Sequence, residues 1–157
     1  MDFQIYEPSP FSPKWYSHKH NGPGLRYEIA VEVQSGYIVW ACGGFGAGVY
    51  RDDKLAQVKF TKRLQPNEMV IADKGCRQCK RFFAPKNGNK DNKLIKNILA
   101  RHENVNRRVK SFDSMSGRFR HDLLLHNICF LAVVNIVQIS IENGDALPEV
   151  SSIYKFN

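Results

Sequence analysis

Between Arg26 and Gln34 the chain alternates with a period of two. Tyr27, Ile29, Val31 and Val33 are apolar, and Glu28, Ala30, Glu32 and Gln34 fall between them. That period sends one row of side chains to a covered face and the other toward water, which is the pattern of a β-strand rather than a helix. Ser35-Gly36 supplies a two-residue turn, and Tyr37 to Ala41 runs back as the hairpin partner. An apolar sheet face needs a second layer, and two later segments can provide it. Asp91 to Phe112 carries Leu94, Ile95, Ile98, Leu99, Val105, Val109 and Phe112 at helical spacing. Asp122 to Glu142 is a second helix, apolar on all sides from Ile128 through Val137, and is expected in the core. Asn143-Gly144 should cap it.

The other elements are shorter. Phe3 to Tyr6 reads as a strand stopped by Pro8 and Pro10. Gly43 to Gly48 reads as a glycine-rich loop; it lacks the Lys-Ser/Thr ending of a phosphate-binding loop. Asp52 to Leu64 is weakly amphipathic and is expected to be helical. Met69 to Ala72 is a continuous apolar run, expected as a central strand buried on both faces, with Asp73 at its C-terminal end. Phe82-Phe83-Ala84 precedes Pro85 and fits a short edge strand. The expectation is an α/β fold: a mixed sheet, antiparallel hairpin plus parallel strand, flanked by helices. The 157 residues suit a single domain, 1–157.

Ligand sites in open α/β sheets collect at the C-terminal ends of strands, where Asp73 lies. Glu103 follows in the first long helix, expected at the border of its buried face, with Arg107 one turn on. From Lys74 to Arg120 there are 14 Lys and Arg against three acids, a net charge of +11 in a chain whose total is +8. So one-sided a block points to a polyanion, and nucleic acid is the usual one. Carboxylates set among cations suit Mg²⁺ or Mn²⁺ acting on phosphate, because hard cations take oxygen ligands and can activate a hydroxyl for phosphodiester cleavage. The competing reading makes Asp73 a loop cap and pairs Glu103 with Arg107.

The N-terminus has no basic and apolar leader pattern. The longest unbroken apolar run, Ile128 to Val134, is far below the ~18 residues of a membrane span, so no membrane association is expected. Cys42 and Cys129 read as small core residues. Cys76 and Cys79 form a single Cys-x-x-Cys, for which His121 and His126 are loosely spaced zinc partners. With no disulfide framework, an intracellular setting is expected.

Several blocks together resemble the DDE superfamily endonucleases of the Harbinger-like transposase group. They are Lys14-Trp15-Tyr16-Ser17-His18-Lys19, Asn21 to Glu28, Gly36 to Trp40, Glu68 to Gly75 and Ala100 to Asn106, continued by Phe119-Arg120-His121 and Ile141 to Gly144. The resemblance runs in order over nearly the whole chain. It implies an RNase H-like fold, cleavage of DNA by a Mg²⁺ or Mn²⁺ centre, a nuclear location, and a possible separate DNA-recognition protein as partner. By the same resemblance Asp73 and Glu103 are catalytic metal ligands; Lys74, Arg101, Arg107 and Arg108, cations around them in the chain, are the expected phosphate contacts.

The chain departs from the family at its first strand. Asp2 matches the second aspartate of an Asp-Gly-Thr-Asp type strand, so the catalytic first aspartate would lie about three residues upstream, on the opposite strand face. Asp2 serves as the third metal ligand only through a shift of register. Cys76 stands at the usual tyrosine, Gly44 and Gly46 stand at frequent prolines, and the segment from Asp73 to Glu103 is short for the family. The reading is a minimal nuclease domain with impaired chemistry; the alternative is a non-catalytic DNA- or protein-binding remnant.

Overall fold

The structure, a computed structural model, describes residues 1–50, 55–72, 81–84 and 92–150. Strand β3 (Gly22–Val31) is its spine. On one side β1 (Asp2–Gln4) pairs antiparallel with it, Asp2 opposite Arg26 and Phe3 opposite Leu25, while β2 (Tyr16–Ser17) pairs with its first residues from the side opposite β1. On the other side lies β4 (Ile38–Gly46), antiparallel, with register shifts at Arg26/Tyr27 and Ala30/Val31. Leu25, Tyr27 and Ile29 are buried on one face, as the alternation requires.

The connection from β3 to β4 is longer than a two-residue turn. Glu32 N–H bonds Tyr37 O, and the Glu32 carboxylate accepts from the N–H groups of Gln34 and Ser35. Gly36 completes the loop with φ +79°, where an added Cβ would stand 2.5 Å from Arg101 Nη2 and 3.2 Å from Leu147 Cδ1. Gly36→Ala should therefore cost about 1–2 kcal/mol from the backbone alone. Gly117→Ala, with nothing within 4 Å of the new Cβ, should be near neutral; thermal melts of the two variants compare them directly. The run of glycines is strand for most of its length, not loop. Cβ atoms at Gly46 and Gly48 would strike the carbonyls of Lys14 and Pro13, so these glycines admit the crossing of a 3₁₀ turn, Pro13–Trp15.

After residue 55 come a turn of π-helix (Ala56–Phe60) and a 3₁₀ turn (Thr61–Arg63) where a regular helix was expected. Strand β5 (Val70–Ile71) pairs in parallel with β6 (Phe82–Phe83), which bears out the short strand at Phe82. This pair is a separate sheet among the described residues: β5 is not a central strand, Val70 and Ile71 are only half-buried, and Met69 is exposed. A four-residue run of apolar side chains cannot specify its partner.

Helix α1 (Asn92–Lys110), the short α2 (Asp113–Ser116) and α3 (Leu123–Glu142) complete the chain. Asp122 caps α3 by accepting from Leu124 N–H, and Gly144, at φ +107°, ends it while Asp145 N–H reaches back to Ser140 O. The core lies between the sheet and the helices. Phe3, Ile5, Leu25, Tyr27 and Ile29 meet Val105 and Val109 of α1 and Phe130, Val133, Val134, Val137 and Ile141 of α3. Each such side chain stabilises the fold by about 1.5–3 kcal/mol relative to exposure. The Tyr27 ring lies 4.1 Å from Phe130, and its hydroxyl shares a 2.8 Å hydrogen bond with His126 Nδ1. The architecture is mixed α/β, with an antiparallel sheet, a parallel pair and helices.

Candidate functional site

Helix α1 carries the central acid. Its buried line, Ile95, Val105 and Val109, is that of an amphipathic helix, and two polar side chains fix it to β3 and the loop that follows. His102 Nε2 meets Ile29 O at 3.0 Å, so this nitrogen carries the proton; Arg101 Nη1 donates to Val33 O at 2.7 Å. Glu103 then falls on the solvent side, exposed, sharing that stripe with Lys93, Lys96 and Arg107. It is outside the buried face rather than at its border, because the residue one turn before it, Leu99, is itself only half-buried. Asn106 Nδ2 donates to Glu103 Oε1 at 3.3 Å, and among the described residues no ion pair joins Glu103 to Arg107.

The proposed phosphate contacts divide. Arg101 is 8% exposed and holds the hairpin loop. Arg108 donates to Asn104 Oδ1 and to Asp145 O, and its guanidinium lies 2.9 Å from Asp145 Oδ2, tying α1 to the end of α3. Arg107 is exposed, as are Arg118 and Arg120 farther on. Asp73, Lys74, Cys76 and Cys79 lie outside the described residues. Of the suggested zinc partners, His126 is 1% exposed and bound to Tyr27, which removes it from any surface site. Cys42 and Cys129 are half-buried free thiols, and Cys129 packs against the core as expected.

Asp2 is 3% exposed and fully engaged. Arg26 donates from Nε to Oδ1 and from Nη2 to Oδ2, both at 2.8 Å, and Ser17 Oγ donates to Oδ2 at 2.6 Å. Burial alone would raise its pKa; the Arg26 and Ser17 hydrogen bonds and the Arg26 charge outweigh burial and hold it below the usual value. Both oxygens of this carboxylate are already neutralised, so Asp2 does not fit the role of a metal ligand as it stands. Glu103 keeps an oxygen free and does fit. Among the described residues no group of three His, Cys, Asp or Glu is placed to hold a metal.

The two acids nevertheless share a neighbour that sequence reasoning missed. Lys110 lies on the same side of α1 as Glu103, its ammonium 5.7 Å from the centre of the Phe3 ring. Burial lowers its pKa most, and Lys19 adds to this, while Glu103 and Asp2 both act to raise it. The candidate site is thus a cationic patch, Lys19, Lys110 and Arg107, around one available carboxylate. Arg26 was the signal for the Asp2 lock: it opens the polar row of the alternating strand, and an antiparallel first strand brings Asp2 opposite it.

No protein-family model, no curated protein and no solved structure matches the chain.

Proposed function

We propose that this is a DNA-binding domain of the DDE-nuclease kind, RNase H-like in fold, whose phosphodiester chemistry is impaired. The carrying observation is the double engagement of Asp2 by Arg26 and Ser17, which turns the first-strand acid into a structural lock. An antiparallel β1–β3–β4 arrangement, with the Glu103 helix packed on one face, is compatible with such a fold. In this reading Glu103 and Asp73 are the ligands left for Mg²⁺ or Mn²⁺, which would polarise a phosphate oxygen when bound. Lys74 and Arg107 contact phosphate. Arg101 and Arg108 hold α1 in place. A partner protein would supply sequence recognition, and the setting is nuclear.

Fluorescence anisotropy with a labelled duplex tests the binding. Affinity should fall steeply as salt rises, and Lys96→Glu with Arg107→Glu should weaken it about tenfold while reducing the salt slope by about 2. Binding that is absent, or indifferent to salt, rejects the DNA reading. Incubation of plasmid with Mn²⁺ should give no cleavage above background. Cleavage that disappears in Glu103→Gln would instead establish an active nuclease.

A further inference from the structure

Helix α3 is not the all-round core helix that its composition implies. One side packs on the sheet, but Leu124 (78%), Leu125 (48%), Ile128 (62%), Leu131 (39%), Ile136 (52%) and Ile139 (57%) remain exposed. This face is apolar over the full helix, broken by the exposed Asn135. It leaves roughly 600 Å² of apolar surface in water, at the upper end of what single soluble domains show.

By length and composition α3 could cross a bilayer, with a mean hydropathy of 1.9. Two features argue against lipid as the occupant. The opposite side is bound into the fold through Phe130, Val134, Val137 and the His126–Tyr27 bond, and Gln138 Oε1 accepts from Ile38 N–H of β4 at 2.6 Å. The helix also carries no Lys or Arg, the residues that anchor a surface-lying helix to headgroups.

The spacing on the exposed face is more specific. Leu124, Ile128, Leu131 and Asn135 follow one another at alternating steps of four and three, the seam of two helices packed together. Leu124 and Leu131 occupy d positions, β-branched Ile128 an a position and Asn135 the next a position, and the seam ends there, because the following d position is Gln138, turned to β4. That combination favours two parallel strands, and a single a-position Asn fixes their register by bonding its own counterpart.

The geometry points to a second copy of this chain docked on this face, two α3 helices side by side about a twofold axis. The paired faces would bury roughly 1,200 Å² in total, the lower end of a specific interface, so the dimer should be weak, with a Kd of order 10 μM. An isologous interface of this kind closes on itself and stops at two copies.

Sedimentation equilibrium on the whole chain, from about 1 to 200 μM, tests the proposal against that range of Kd. Wild type should move from monomer to dimer. Leu131→Glu and Ile128→Lys should each raise the Kd at least tenfold while leaving the thermal transition in place, since both positions are solvent-exposed. Lys62→Glu, on an exposed turn after β4, should change nothing. Three results overturn the proposal: a monomer at every concentration, a dimer that ignores both α3 substitutions, or a monomer that instead sediments with phosphatidylcholine vesicles.

Discussion

Acidification from pH 7 to about 4 should remove roughly 3 kcal/mol of stability through His126 alone. The imidazole is 1% exposed among Phe3, Tyr27 and Phe119, and burial pushes its pKa from 6.5 down to about 4. The neutral ring shares its Nδ1 hydrogen bond with the Tyr27 hydroxyl. A second ring proton places a charge in an apolar core. The sign follows from linkage. Between the two pKa values the unfolded chain binds the proton and the folded chain does not, so stability rises with pH across that window and falls as acid is added. The loss begins below about pH 6.5, above the range in which ordinary carboxylates titrate. Asp2 and Glu32, both held below their usual values, add their own losses only at lower pH. Urea titrations at pH 7, 5.5 and 4.5 give the profile. His126→Leu should be flatter across this range, although less stable at pH 7 because Tyr27 loses its partner. An unchanged slope in that variant would mean that other groups carry the acid sensitivity.

The elements legible in the sequence are those whose own residues carry the signal. The alternation of Tyr27, Ile29 and Val31 marked β3, although the strand runs Gly22–Val31 rather than Arg26 to Gln34; Tyr27 and Ile29 are buried and Val31 is half-buried. Asp122 and Asn143-Gly144 marked the two ends of α3 because caps are local chemistry. What a sequence cannot print is which neighbour arrives. The glycine run was misread as a loop because its glycines answer to the crossing of residues 13–15, far away in the chain. Met69 to Ala72 looked like a central strand, yet its only strand partner among the described residues is Phe82–Phe83. Helix α3 looked buried on every side because composition reports how apolar a surface is, not how many of its sides are covered. The candidate site follows the same division. Glu103 was visible as an acid within a basic helix, whereas the fate of Asp2 depends on Ser17 and Arg26, which come from two other strands.

Asp2→Ala should be the most damaging single change in the candidate site, with a loss of about 2–3 kcal/mol, because it removes two charge-assisted hydrogen bonds from Arg26 and the acceptor of the buried Ser17 hydroxyl, while Arg26 keeps its bond to Tyr50 O. Asp2→Asn keeps the shape and one acceptor for Ser17, so it should cost less, but it still removes the charge that Arg26 faces. The pair can be isolated by a double-mutant cycle. Arg26→Met alone should also destabilise, since it leaves Asp2 buried with Ser17 as its remaining side-chain donor. The combination of Asp2→Ala with Arg26→Met should cost less than the two separate losses together, because both single changes remove the same pair of Arg26–Asp2 hydrogen bonds. Additive losses would show that the two residues act independently despite their geometry. The same variants decide what the first strand contributes to chemistry. A metal-ligand role for Asp2 predicts that Asp2→Asn weakens Mn²⁺ binding with little change in denaturant midpoint. A structural lock predicts the reverse: a lower midpoint and unchanged Mn²⁺ affinity. Because Arg26 and Ser17 already satisfy both carboxylate oxygens, the second pattern is the one expected.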